Sequence, residues 1–292
     1  MSEGVGERGV SDMPPPLVCT VHAMAMPFTV TVDRGVREGS GGGPGGADAA
    51  WEAAWEAAIA DFHAQLQWAD DVFSLWREDS VLARWLRGEV EAEDAPPEVL
   101  EVLQACEWYR GATAGAFDAR GPHGLDPTGL VKGWAVWRAS RPFADLPGAW
   151  MVDAAGDVLV GGEHVWQVGI AHPDTRGVPR PSHLIDVVTL GGSGMRALAT
   201  SGVGQRGAHI WDPATGEPAA HVVQASVAGP DLVTADVWAT AIVAAGDGAV
   251  AGALAAGCEV LVVRGVREDG VDAAASAGWP RSDQAAGRAD GA

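Results

Sequence analysis

The stretch 150–162, WMVDAAGDVLVGG, decides the class of fold. Short apolar runs lie on either side of a small, Gly-containing turn segment, and runs of this length bounded by turn residues read as β-strands. The segments VWQVGIAHP, SHLIDVVTL and MRALATSG that follow have the same character, so the chain from about Ala149 predicts an antiparallel meander. Upstream the periodicity is helical: Trp51, Trp55, Ile59, Phe62 and Leu66 recur at three and four residues. Together the two patterns give an α+β protein with mostly antiparallel sheets flanked by helices.

Outward from that centre the remaining elements follow. Leu17 to Val32 reads as a strand or strand pair interrupted near Met26-Pro27. The Trp51 helix is capped by Asp48 and ends near Asp70, and FSLWREDS leads into a short helix over 81–87. A helix over 96–110 places Leu100, Leu103 and Cys106 on one face and stops at Gly111. Downstream, helices are predicted over 234–245 and 249–256, and CEVLVVRG supplies a closing strand. DPTG at 126–129 and DPATG at 212–216 form a faint internal echo of the kind a tandem duplication leaves.

With 292 residues the chain fits one domain once its tails are trimmed. Residues 1–16 and 267–292 lack the apolar periodicity that repays ordering entropy and read as disordered, leaving a domain over 17–266. A net charge of −20 excludes a nucleic-acid or anionic-membrane partner, which requires a basic field. Cys19, Cys106 and Cys258 lie far apart without metal-type spacing and read as thiols of a reducing compartment. Cys19 lacks the basic and apolar regions of a lipoprotein signal, and apolar runs such as 239–245 are too short to span a bilayer. A cytoplasmic protein without membrane insertion is the expectation.

Several residues carry chemistry. In LDPTGLVKGWAVW, 125–137, an Asp-Pro turn runs into Lys132 at the head of a helix predicted over 133–144. Amides at such a start favour a phosphate, although many helices begin this way with nothing bound. In ADVWAT, 235–240, Asp236 and Thr240 stand four apart, so their oxygens can face one point as a hard donor set for Mg2+. The plain alternative is that Asp236 caps the helix and Thr240 packs. His209 stands beside the second Asp-Pro turn and is a candidate base for a hydroxyl, or an ordinary core or surface histidine. ATSG, 199–202, either contacts phosphate or turns the chain, and Asp118 of GAFD is a site or turn residue. Walker A, GxSxG and HExxH patterns are absent, and no GxGxxG stretch is read as a Rossmann fingerprint, which needs a strand before it and a helix after it.

In order, MAMPF, FSLWREDS, GAFD, LDPTGLVKGWAV, VDAAGDV with VWQVGI, ATSG, HIWDPATG and ADVWAT resemble the motifs of the FAD:protein FMN transferases, the ApbE-type flavin transferases. The resemblance covers about Val21 to Gly265. It implies a duplicated α+β fold and a magnesium-dependent transferase. Such an enzyme cleaves the pyrophosphate of FAD, transfers FMN to a Thr or Ser hydroxyl of a target protein, and releases AMP. It implies flavin contacts at Met24, Trp76, Ala116, Phe117, Asp118, Lys132 and Trp211. It implies metal ligands at the carbonyls of Gly129 and Ala239 and the side chains of Asp236 and Thr240, with His209 as the base.

Three departures stand out. Ala25 and Met26 replace the usual Gly and Thr, Ala155 replaces the first of two glycines, and only 119–124 separate GAFD from LDPTG. Trp76 stands where the family commonly has Tyr. Two other activities share the same features: hydrolysis of FAD to FMN and AMP, and FAD binding without turnover.

Overall fold

The structure is a computed structural model and describes residues 15–34, 46–91, 93–122, 124–173, 184–192, 194–202, 210–267 and 270–283. The first half runs β1 (Leu17–Ala23), β2 (Met26–Asp33), α1 (Gly46–Phe73), α2 (Val81–Leu86) and α3 (Pro97–Ala112). It continues with the small strands β3 (Arg120–Gly121) and β4 (Gly124–Leu125), then α4 (Thr128–Ala139), and returns through β5 (Ala149–Ala154) and β6 (Asp157–Gly161). A hairpin of β7 (Trp166–Ala171) and β8 (Leu184–Leu190) follows. The second half is β9 (Ala197–Gly202), β10 (Gln224–Gly229), α5 (Leu232–Ala245), α6 (Val250–Ala255), β11 (Glu259–Arg267) and β12 (Gly270–Ala275).

Eight strands form one antiparallel sheet in the order β1-β2-β5-β6-β9-β10-β11-β12. Each half is therefore strand–strand–helices–strand–strand, and β6 meets β9 over only Val158↔Leu198 and Leu159↔Ala197. This is the duplication that the sequence resemblance implies, but the two Asp-Pro turns are not its trace. DPTG lies in the helical insertion between β2 and β5, whereas DPATG lies between β9 and β10.

Central strands are buried on both faces, which is why they read as nearly continuous apolar runs. Leu159, Ala197, Ala199, Val260 and Val262 face the helices, where they join Phe28, Phe62, Leu66 and Phe143. Their neighbours Val158, Val160, Leu198 and Leu261 face the other way and are covered by Val168, Ile170, Val188 and Leu190 of the β7–β8 hairpin. Trp279 completes that second core, and Arg281 pairs with the buried carboxylate of Asp186 at 2.8 Å. Residues 270–283 are thus part of the fold, contrary to the expected tail from 267. One tryptophan and one ion pair anchor a segment whose small residues give no periodic signal. Residues 1–14 of the expected N-terminal tail fall outside the described residues.

Several boundaries also differ from expectation. The first helix starts at Gly46, ahead of Asp48, and continues to Phe73, because Ala69, Val72 and Phe73 still face the core. On α3 the buried residues are Val99, Val102, Cys106 and Tyr109, while Leu100 is exposed. The stretch Leu232–Ala255 has the length and composition of a membrane span, so the apolar runs are not too short as predicted. Here α5 is instead a core helix between α4 and strands β9 and β10.

Candidate active site

Helices α4 and α5 cross at Gly133. A β-carbon there would lie 3.0 Å from the Leu232 carbonyl oxygen and 3.2 Å from Val233 Cα, so only glycine lets the backbones meet this closely. The crossing brings Lys132 of α4 to Asp236 of α5. From the sheet, the β5–β6 hairpin turns through Ala155 and Gly156, with φ of 54° and 103°, and delivers Asp157 to the same point.

Lys132 is therefore not at the head of its helix. Pro127 and Asp126 start α4 five residues earlier than predicted, and the Thr128 N–H donates to Asp126 Oδ1 at 2.9 Å. The amides of Leu130 and Val131 donate to the Pro127 carbonyl at 2.9 and 3.0 Å. With those amides bonded and a carboxylate beside them, the helix start is a poor phosphate cradle, and the positive charge comes from Lys132 one turn further on. Likewise Asp236 is no cap. Asp231 caps α5, accepting from the Thr234 N–H at 2.8 Å, which leaves Asp236 in the second turn.

The Lys132 ammonium contacts Asp157 Oδ2 and lies 3.7 Å from Asp236 Oδ2. Asp157 and Asp236 are 2% and 3% exposed. Asp157 Oδ1 accepts from the Thr200 N–H at 3.0 Å. The ammonium thus partners Asp157 Oδ2, whereas the buried Asp236 Oδ2 makes no hydrogen bond among the described residues. Burial pushes the Asp236 carboxyl up to about 7; Lys132 opposes this, Asp157 adds to it, and the Gly133 amide opposes it. Two buried carboxylates against one ammonium leave an excess negative charge. A cation at Asp236 Oδ2 would relieve it.

Lys132 and Asp236 of this cluster lie on the floor of a cavity of about 610 Å3. Met24, Trp76, Ala116, Phe117, Asp118, Gly129, Lys132, Trp211, Asp236 and Thr240 all line it. Met24 comes from the β1–β2 turn, where it and Ala25 have φ of 49° and 58°. Phe117 is held by Thr113, whose Oγ1 accepts its N–H at 2.9 Å, and its ring covers Gly129. The short stretch between GAFD and LDPTG folds as the β3–β4 hairpin, against which Trp211 packs at Gly121. Trp76 is 95% exposed at the rim. Arg77 holds its loop through Asp79 at 3.2 Å and a close contact with Asp71.

Two residues singled out from sequence are not gathered here. Ala239 is fully buried in α5 and does not line the cavity, and His209 lies outside the described residues. Its chain neighbour Ile210 does line the cavity. Ser201 of ATSG also lines it, with Ser201 Oγ 3.2 Å from Thr240 Oγ1. Sequence reasoning assigned no role to Asp157. Its signal was a carboxylate in VDAAGDV where a buried strand begins.

The donors at Asp236 are all oxygen: a carboxylate with an unpartnered buried oxygen, the Thr240 hydroxyl and the backbone at Gly129. Among the described residues, no group of three or more His, Cys, Asp or Glu could hold a metal ion. The set therefore fits a hard cation such as Mg2+ and not zinc.

An antiparallel α+β sheet with a lysine-bridged carboxylate pair beneath an aromatic-walled cavity defines a class of small-molecule-binding α+β proteins. The sequence model of the ApbE family matches residues 119–262, which include Asp157, Lys132 and Asp236. That match spans just under half of the chain. It is similar to a flavin transferase ApbE from Vibrio cholerae, with 20% identity, TM-score 0.67, and coverage of 90% of this chain and 97% of that one. A flavinyl transferase ApbE from Pseudomonas stutzeri has 21% identity, TM-score 0.69, and coverage of 91% and 96%. An ApbE protein from Thermotoga maritima has 22% identity, TM-score 0.65, and coverage of 92% and 97%. No curated protein matches the chain.

Proposed function

We propose that the protein is a magnesium-dependent FAD:protein FMN transferase. The observation that carries this is the buried Asp236 Oδ2 beside Lys132 at the floor of an aromatic-walled cavity of about 610 Å3, a size suited to a flavin nucleotide. The match of residues 119–262 to the ApbE family model and the flavin transferases of similar fold support it.

FAD enters with its isoalloxazine against Met24, Trp76, Ala116, Phe117 and Trp211, and Asp118 offers a carboxylate at the ring edge. Lys132 faces the flavin-side phosphate. A Thr or Ser hydroxyl of the target protein attacks the phosphorus on the flavin side of the pyrophosphate. A new P–O bond forms to that oxygen, the P–O bond to AMP breaks, and AMP departs with the bridging oxygen. His209 takes the hydroxyl proton, a role worth typically about 10²- to 10⁴-fold in rate. Asp236, Thr240 and the carbonyl of Gly129 would hold Mg2+, which would supply neutralisation of the pyrophosphate charge. The thiols Cys106 and Cys258, free and buried, support a reducing cytoplasmic setting.

The test is incubation with FAD and Mg2+, with and without a candidate acceptor, followed by separation of FAD, FMN and AMP. Transfer predicts AMP together with protein-bound flavin in acid-precipitated acceptor. AMP and free FMN in equal amounts with no protein-bound flavin would establish hydrolysis instead. FAD recovered intact would leave only a flavin-binding protein.

A further inference from the structure

Lys132 is placed asymmetrically between its two carboxylates. Its ammonium touches Asp157 Oδ2 but stays 3.7 Å from Asp236 Oδ2, beyond hydrogen-bonding reach. Asp157 has no freedom to follow the lysine elsewhere. It is 2% exposed, its Oδ1 is tied to the Thr200 N–H at 3.0 Å, and it directly follows a two-residue hairpin turn. Lys132, by contrast, has a flexible side chain that is 22% exposed at the cavity floor.

We propose that Asp157 is a positioning residue that docks Lys132 and keeps its ammonium off Asp236, leaving Asp236 Oδ2 open to a divalent cation. This rests on the metal assignment made above for Asp236. A lysine four carbons long, deprived of Asp157, has the buried carboxylate of Asp236 3.7 Å away. It then occupies the cation's place as a competing monovalent charge. With Asp157 present, the ammonium is held aside at the edge of the cavity, facing the position a phosphate takes beside the metal. The carboxylate on β6 thereby divides the labour between the two positive charges. One is fixed by the sheet and one is supplied by solution.

Mn2+ binding to the full-length protein, measured by electron paramagnetic resonance without FAD, tests this through a double-mutant cycle. Asp157→Asn is expected to weaken Mn2+ binding at least tenfold. Lys132→Met is expected to restore binding in the Asp157→Asn background, raising affinity there by a larger factor than in the wild type. Asp157→Glu, which keeps the docking charge, is expected to retain wild-type affinity within threefold, and it covers the case in which Asp157→Asn does not fold. Equal affinity of Asp157→Asn and wild type overturns the proposal. So does an equal effect of Lys132→Met in both backgrounds, which would show a field effect without docking, and so does a tenfold loss in a folded Asp157→Glu. Absence of Mn2+ binding by the wild type itself would overturn the metal assignment as well, which separates the two failures.

Discussion

Gly133→Ala probes the helix crossing on which the site depends. The added methyl meets Leu232 O at 3.0 Å, Val233 Cα at 3.2 Å and Leu232 C at 3.3 Å. All three are backbone atoms, so no side chain can rotate away and α4 must retreat from α5 by a few tenths of an ångström. Overpacking of this kind costs about 1–3 kcal/mol. The gain in helix propensity from Gly to Ala returns about 0.8–1 kcal/mol. The net loss is up to about 2 kcal/mol, and at roughly 2–4 °C per kcal/mol it lowers the melting temperature by up to about 8 °C. The same retreat separates Gly129 and Lys132 on α4 from Asp236 on α5, so Mn2+ affinity falls even at temperatures where the variant is fully folded. Thermal melting by circular dichroism and Mn2+ titration at 20 °C measure the two effects. A variant as stable as the wild type and with the same Mn2+ affinity would refute the claim that this crossing sets the site.

Ala25→Gly is expected to raise stability by about 0.5–1 kcal/mol, since Ala25 occupies a left-handed conformation that glycine adopts without strain, and chemical denaturation measures it. Burial pushes the thiols of Cys106 and Cys258 up to about 12, so a thiol reagent at pH 8 is expected to label only the half-buried Cys19 until the protein unfolds, as read by mass spectrometry. Asp153 is held above the usual carboxylate range by burial, against the Gly156 amide and with the charge of Asp157 adding to the rise. Its folded form thus binds the proton more tightly than its unfolded form, and its contribution to stability is greatest at acid pH and lost as pH rises. Asp153→Asn removes that loss while keeping an acceptor for the Gly156 N–H, and is expected to melt higher than the wild type at pH 7 but not at pH 4.

The legible parts of the fold were those written in periodicity. Trp51, Trp55, Phe62 and Leu66 recur with the helical repeat and are buried as one stripe. Strands β6, β9, β10 and β11 were legible because two cores bury both of their faces. Boundaries failed where a single group overrode the local pattern. Asp126 and Asp231 start their helices earlier than the apolar repeat suggests, and Trp279 with Arg281 holds a stretch of small residues in the fold. At the site, spacing on one helix put Asp236 and Thr240 together, and motif order named the aromatic wall. Asp157 stayed hidden because its partner Lys132 lies 25 residues away on another element, and no local pattern encodes a contact between a hairpin and a helix. The approach of α4 to α5 at Gly133 is equally invisible in sequence, where that glycine reads as a helix of reduced propensity.

The most direct test of the account is intact-mass analysis of an acceptor protein with an exposed Thr-containing flavinylation motif, co-expressed with the wild type or with Asp236→Ala. A mass increase of one FMN with the wild type, its loss with a folded Asp236→Ala, and AMP release in the matching purified reaction are the predicted results. An unmodified acceptor with the wild type, or undiminished modification by Asp236→Ala at limiting Mg2+, would contradict it.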